Sequence, residues 1–153
     1  MKRPMPWPDP PPEWQKPEIE HMKETKWGWR VWYPEELTLG VNVDIGAFTL
    51  ILAHNGVEIG DDVQIGSHCT IHSANTEQGK YGPVKLLRGC RIGAGTMIFP
   101  NVTIGENAII GANCVINANV GNAAKVKAMS LVLKDVPPGK IAKGIPAKSV
   151  SAR

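Results

Sequence analysis

No run in the 153-residue sequence reaches the length at which an apolar helix crosses a bilayer, and Met1-Lys2-Arg3 leads into Pro4, Pro6, Pro8 and Pro10 rather than an apolar stretch. A cleavable signal peptide and a membrane partner are therefore not expected, and the cytoplasm is the expected compartment. Cysteine is scarce. Cys69, Cys90 and Cys114 cannot all pair and none lies in a Cys-x-x-Cys spacing, which argues against a disulfide framework or a zinc ribbon and for reduced core positions. Phe and Tyr number only two each, and no stretch interleaves aromatic with basic residues, so nucleic acid is not an expected partner. An excess of charge is missing too: 17 basic against 14 acidic residues leaves +3, and 42% hydrophobic content is ordinary for one globular domain.

What is present is unevenly placed. Residues 1–36 hold all five Trp and eight of the thirteen Pro, whereas residues 37–120 hold twelve of the sixteen Gly. Charge follows another division, with 6 − 7 = −1 over residues 1–36, 4 − 6 = −2 over 37–120 and 7 − 1 = +6 over 121–153. Three segments are expected: an N-terminal arm (1–36), a repetitive domain (37–136) with an extended loop at 76–84, and a basic tail (137–153).

Within the central segment an aliphatic residue recurs every six positions, at 39, 45, 51, 59, 65, 71, 86, 92, 98, 104, 110, 116, 120, 126 and 132. A helix repeats at three and four and a half-buried strand at two, so a period of six needs short strands joined by tight corners. At roughly 3.3 Å per extended residue, four residues make a wall of about 13 Å and two make the bend. The residue after each aliphatic position sorts in threes. Gly occupies eight of the ten places on the first and second walls and none of the five on the third, which carries Leu52, His72, Phe99, Asn117 and Leu133. Positive φ at corners is the expected reason for the glycines. The expected fold is all-β: a triangular parallel β-helix of about five coils, with small residues such as Thr49, Cys69, Thr96, Cys114 and Ser130 stacked behind the second wall and the Trp-rich arm capping an open end.

Runs such as Ile92-Gly93-Ala94-Gly95-Thr96-Met97 and Ile104-Gly105-Glu106-Asn107-Ala108-Ile109 resemble the hexapeptide-repeat acyltransferases, whose fold is a left-handed parallel β-helix. The resemblance covers residues 37–150. Its ending, Leu131-Val132-Leu133-Lys134-Asp135-Val136-Pro137-Pro138 followed by Gly144-Ile145-Pro146-Ala147-Lys148, is similar to that of acetyl-CoA-dependent members. The resemblance implies a homotrimer whose active sites lie between neighbouring prisms, with a long loop reaching over the neighbour, and acetyl-CoA as acyl donor. It also implies donor contacts from Gly111, Ala112, Ala128 and Ser130, with Lys143 and Lys148 near the phosphates.

Acetyl transfer to an alcohol or amine needs a base, and histidine suits that role near neutral pH. His54 sits in a stretch, Leu52-Ala53-His54-Asn55-Gly56-Val57-Glu58, that resembles the catalytic coil of serine acetyltransferase. There Ala53 replaces the family's aspartate, which argues against serine as acceptor. His72 resembles the catalytic histidine of lipid A pathway acyltransferases, and coils about 4.8 Å apart would let both histidines face one cleft. Ser73-Ala74-Asn75-Thr76 lacks the histidine of maltose and galactoside O-acetyltransferases. Asn55, Asn75, Glu77 and Tyr81 are the expected acceptor contacts. The function this implies is acetyl transfer to an amino or hydroxyl group of a sugar, a nucleotide-linked amino sugar foremost. The alternatives are a free-sugar O-acetyltransferase, a zinc enzyme like the γ-class carbonic anhydrases using His54, His68 and His72, and a non-catalytic trimeric scaffold.

Overall fold

In the computed structural model, which describes residues 13–151, the chain winds into a left-handed parallel β-helix with almost no helix, a single 3-10 turn at Pro34–Glu36 apart. The first wall is built from Leu37–Leu39, Val57–Ile59, Val84–Leu86 and Thr103–Ile104, continued by parallel bridges through Val120 and Val136. The second stacks Asp44–Ile45, Gln64–Ile65, Arg91–Ile92, Ile109–Ile110, Lys125–Val126 and Ile141–Gly144. The third stacks Arg30–Trp32, Leu50–Leu52, Thr70–His72, Met97–Ile98, Val115–Ile116 and Leu131–Val132.

The six-residue period sets the register. Ile51 pairs with Ile71, Ile71 with Ile98, Ile98 with Ile116 and Ile116 with Val132, so each ladder aliphatic sits on the one in the coil before. Ile51, Ile71, Ile98 and Ile116 are fully buried, and burial of such a side chain stabilises by about 1.5–3 kcal/mol. Six coils result, not five. Val31 adds a third-wall layer from within the residues expected as arm, and Val136 and Ala142 add layers beyond residue 132. The solenoid therefore extends past the expected 37–136 on both sides.

The arm's described part closes the N-terminal end. Trp29 is buried in the core cluster, Ile19 packs against it, and the Trp14 indole N–H donates to the Val43 carbonyl at 3.0 Å. Trp7 lies outside the described residues. At the other end Ala147–Val150 folds back antiparallel on Ile141–Gly144.

The corner glycines have a different cause from the one expected. Positive φ falls two residues later, at Asn42, Phe48, Asp62, His68, Gly95, Asn107, Asn113 and Ala123. The glycines themselves are places where coils touch. A Cβ on Gly66 would lie 2.6 Å from the Ala94 nitrogen, and one on Gly111 would lie 2.4 Å from the Ala128 nitrogen. Inside the corner between second and third walls runs a column of hydrogen bonds: the Thr49 hydroxyl donates to the Gly66 carbonyl (2.8 Å) and the Cys69 thiol to the Gly93 carbonyl (3.2 Å). Above them Thr96 donates to Gly111 (3.1 Å) and Cys114 to Lys127 (3.2 Å).

Spacing between ladder residues is six at the first two corners of every coil. At the corner from third wall to first it runs 8, 8, 15, 6, 4 and 4, from Val31–Leu39 to Val132–Val136. Every length change in the solenoid is confined to one edge, and both candidate bases lie on it.

Candidate active site

His72 ends the strand Thr70–His72, at the outward-facing place after Ile71. Because no glycine is needed at this corner, the places after the ladder residues carry side chains that stack from coil to coil. The His72 ring lies on Phe99 of the next coil, centroids 5.4 Å apart and planes 9° from parallel. Its Nε2 is buried and has no hydrogen-bond partner. Burial pushes its pKa below the ordinary histidine value, and the carboxylate of Glu77 pulls the other way. An unsatisfied buried nitrogen on a neutral imidazole is a ready proton acceptor.

His54 is exposed, on the two-residue bulge after Leu50–Leu52. Its ring meets the preceding coil, 4.4 Å from Tyr33 and 6.0 Å from Trp32. Tyr33 is a non-glycine residue at φ 61, and its N–H donates to His21 Nδ1 at 2.9 Å. The two candidate bases occupy adjacent coils of one edge, yet their rings stack in opposite directions along it. His68 is at another corner, 4.9 Å from Phe48. Among the described residues, no three His, Cys, Asp or Glu side chains come together as a metal site.

The expected acceptor contacts divide. The Asn55 amide donates to the Ser73 carbonyl (3.0 Å) while its N–H donates to the Ser73 hydroxyl (2.9 Å), and Asn75 Oδ1 accepts from the Gln78 N–H (3.1 Å). Both side chains thus shape the bulge and the loop. Glu77 and Tyr81 are exposed. Within the protomer the loop folds back: Ala74–Asn75 pairs antiparallel with Lys80–Tyr81, Asn101 Nδ2 donates to the Tyr81 carbonyl (3.2 Å), and Lys80 Nζ donates to Asn117 Oδ1 (3.3 Å). An open groove of about 340 Å³ lies beneath, lined by Lys80, Asn101, Asn117, Asn119, Leu133 and Asp135 among others.

Gly111, Ala112 and Ala128 sit at the corner between second and third walls, where Gly111 and Ala128 stack closely. The Ser130 side chain is buried, its hydroxyl donating to the Lys127 carbonyl (2.7 Å) and accepting from the Gly144 N–H (3.2 Å). Lys143 and Lys148 face each other across the terminal hairpin, both exposed. Phe99, Tyr33 and Lys80 are the side chains that sequence reasoning did not assign to the site. Phe99 had a signal, since it shares the third-wall column with His72.

Sequence profiles place this solenoid. Residues 89–121 match the bacterial transferase hexapeptide (six repeats), and residues 56–100 match the hexapeptide repeat of succinyl-transferase. Residues 56–121 thus carry the hexapeptide repeats that these transferase families share. A provisionally named acetyltransferase of Schizosaccharomyces pombe is 28% identical over 137 residues, covering 88% of this chain and 58% of that protein. Serine acetyltransferase of Buchnera aphidicola is 28% identical over 113 residues, covering 74% and 37%. The chain thus spans about half the length of these relatives. Among solved structures, a histidine-to-alanine variant of GDP-perosamine N-acetyltransferase from Caulobacter crescentus, in complex with CoA and GDP-perosamine, superposes with TM-score 0.67. It is 23% identical, covering 82% of this chain and 54% of that one. AntD, an N-acyltransferase from Bacillus cereus in complex with dTDP and coenzyme A, gives 0.71 at 21% identity, covering 84% and 79%. These two likenesses establish the fold.

Proposed function

We propose that this chain transfers an acetyl group from acetyl-CoA to an amino or hydroxyl group of a sugar, foremost a nucleotide-linked amino sugar, by direct transfer with a histidine base. The observation that carries the reading is His72: a half-buried ring whose Nε2 is buried without a partner, on the edge where the loop and the bulge converge. The named activities of the relatives and the ligands of the structural neighbours agree with it. His72 accepts the acceptor's proton as its nitrogen or oxygen attacks the thioester carbonyl. The new C–N or C–O bond forms, the C–S bond breaks, and the proton passes to the departing thiolate. Glu77 favours the transient imidazolium by its charge. His54 is the second candidate base, and Asn55, Asn75, Glu77 and Tyr81 stay our acceptor contacts, the two asparagines by holding the loop that frames the pocket.

The donor side supports a homotrimer. Gly111, Ala112 and Ala128 lie at one edge of the third wall, His54 and His72 at the other, with a strand between them. A thioester held along the first edge of one copy reaches the base of a neighbour more readily than its own. Lys143 and Lys148, like charges placed opposite each other, gain from an anion between them. Light scattering should give three times 16.6 kDa, and calorimetry should show acetyl-CoA binding. A monomer that binds no acetyl-CoA contradicts the reading, and stoichiometric zinc with carbon dioxide hydration replaces it.

A further inference from the structure

We infer that Lys80 is the residue that recognises the phosphate of the acceptor, in the groove beneath the hairpin; this rests on the transfer reading above. The chain supplies the reasons. The hairpin starts two residues after the strand that ends in His72, and its returning strand carries Lys80. It docks on later coils of its own protomer through Tyr81 and Asn101, which fixes where Lys80 points. Lys80 Nζ is 3.3 Å from Asn117 Oδ1, an amide oxygen, and among the described residues it has no carboxylate partner within ion-pair distance. A neutral partner orients the ammonium without cancelling its charge, leaving it free for an anion.

Position matters as much as charge. His72 stacks on Phe99, and Asn117 occupies the next place in the same column, so Lys80 lies two coil steps, roughly 10 Å, along the edge from the base. A sugar whose amine or hydroxyl meets His72 would direct a phosphate on its far carbon along that column. The other charged groups nearby do not take Lys80. Asp135 lines the same groove, its Oδ1 accepting the Asn119 N–H at 2.9 Å, and forms no ion pair with Lys80; nor does Glu77, whose charge acts on His72. Asn101 and Asn119 complete a polar floor. A nucleoside diphosphate linkage is the acceptor chemistry that this floor and a cation without an ion-pair partner among the described residues fit best.

The test is titration of the full-length protein with UDP, GDP and dTDP by calorimetry, with saturating CoA present to occupy the donor site, in wild type, Lys80→Met and Lys80→Arg. At least one nucleotide should bind wild type more tightly than its nucleoside does, weaken about tenfold or more in Lys80→Met, and recover in part in Lys80→Arg. Equal nucleotide affinity in wild type and Lys80→Met, or no preference over the nucleoside, overturns the inference. Acetyl transfer to unphosphorylated amino sugars is measured alongside. If it proceeds in wild type and Lys80→Met alike while no nucleoside diphosphate binds, Lys80 is refuted and the transfer reading stands.

Discussion

His72 and Phe99 lie face to face one coil apart, at 5.4 Å and 9° from parallel, and the stack that buries the imidazole also leaves its Nε2 without a partner. One contact therefore does two things. It covers one face of the half-buried ring, and by adding to its burial it favours the neutral imidazole, the form a base needs to act.

Removing the base separates the two histidines. His72→Asn should lower kcat roughly 10²- to 10⁴-fold with little change in the KM for acetyl-CoA. His54→Ala should cost far less, because that ring is exposed and meets Tyr33, on the side away from Phe99. Steady-state kinetics on both variants checks the order.

The stack should be visible in the pH profile. The acid limb of kcat/KM is expected below about 6.5, the ordinary histidine value, because desolvation disfavours the imidazolium. Phe99→Ala re-admits water and should shift that limb upward while leaving the plateau within reach of wild type.

The same group links pH to stability. A folded-state pKa below the unfolded one means the unfolded chain binds more protons, so its contribution is present above about 6.5 and is lost as pH falls through the folded value. Between about pH 7.5 and 5.5 wild type should lose more in Tm than His72→Asn does.

Glycine substitutions should sort by what the added methyl meets. Gly66→Ala places a Cβ 2.6 Å from the next coil's backbone and should cost about 1–3 kcal/mol. Gly79→Ala, at φ +63 in the loop with nothing within 4 Å, should cost about 1 kcal/mol of backbone strain. Urea titration of the two variants distinguishes contact from conformation as the reason for the corner glycines.

All three thiols should resist alkylation in the folded protein. Burial raises Cys69 and Cys114 above the ordinary thiol value and pushes Cys90 up to about 12, so almost no thiolate exists at neutral pH. Ellman's reagent should find three reactive groups after denaturation and none before.

The aliphatic ladder made the solenoid legible because each Ile or Val marks one wall wherever the spacing stays at six. Val31 escaped because it sits among tryptophans eight residues before Leu39, and Val136 because two prolines follow it directly. The glycines were legible as a pattern but not in cause: which residue takes positive φ and which touches the next coil depends on stacking, and sequence spacing does not encode it. His72 was visible as a column position, and its pairing with Phe99 followed once register was known. The direction in which each histidine ring turns was not visible, because side-chain stacking along the edge is set by the bulge at His54 and the loop after His72.

Thiol release from acetyl-CoA, followed against acetylated product over a panel of nucleotide-linked amino sugars, bears most directly on the base. With wild type, thiol and product should appear one for one, and with His72→Asn both should fall together by roughly 10²-fold or more. Undiminished turnover in both His72→Asn and His54→Ala would mean that this edge of the solenoid is not where the proton is taken.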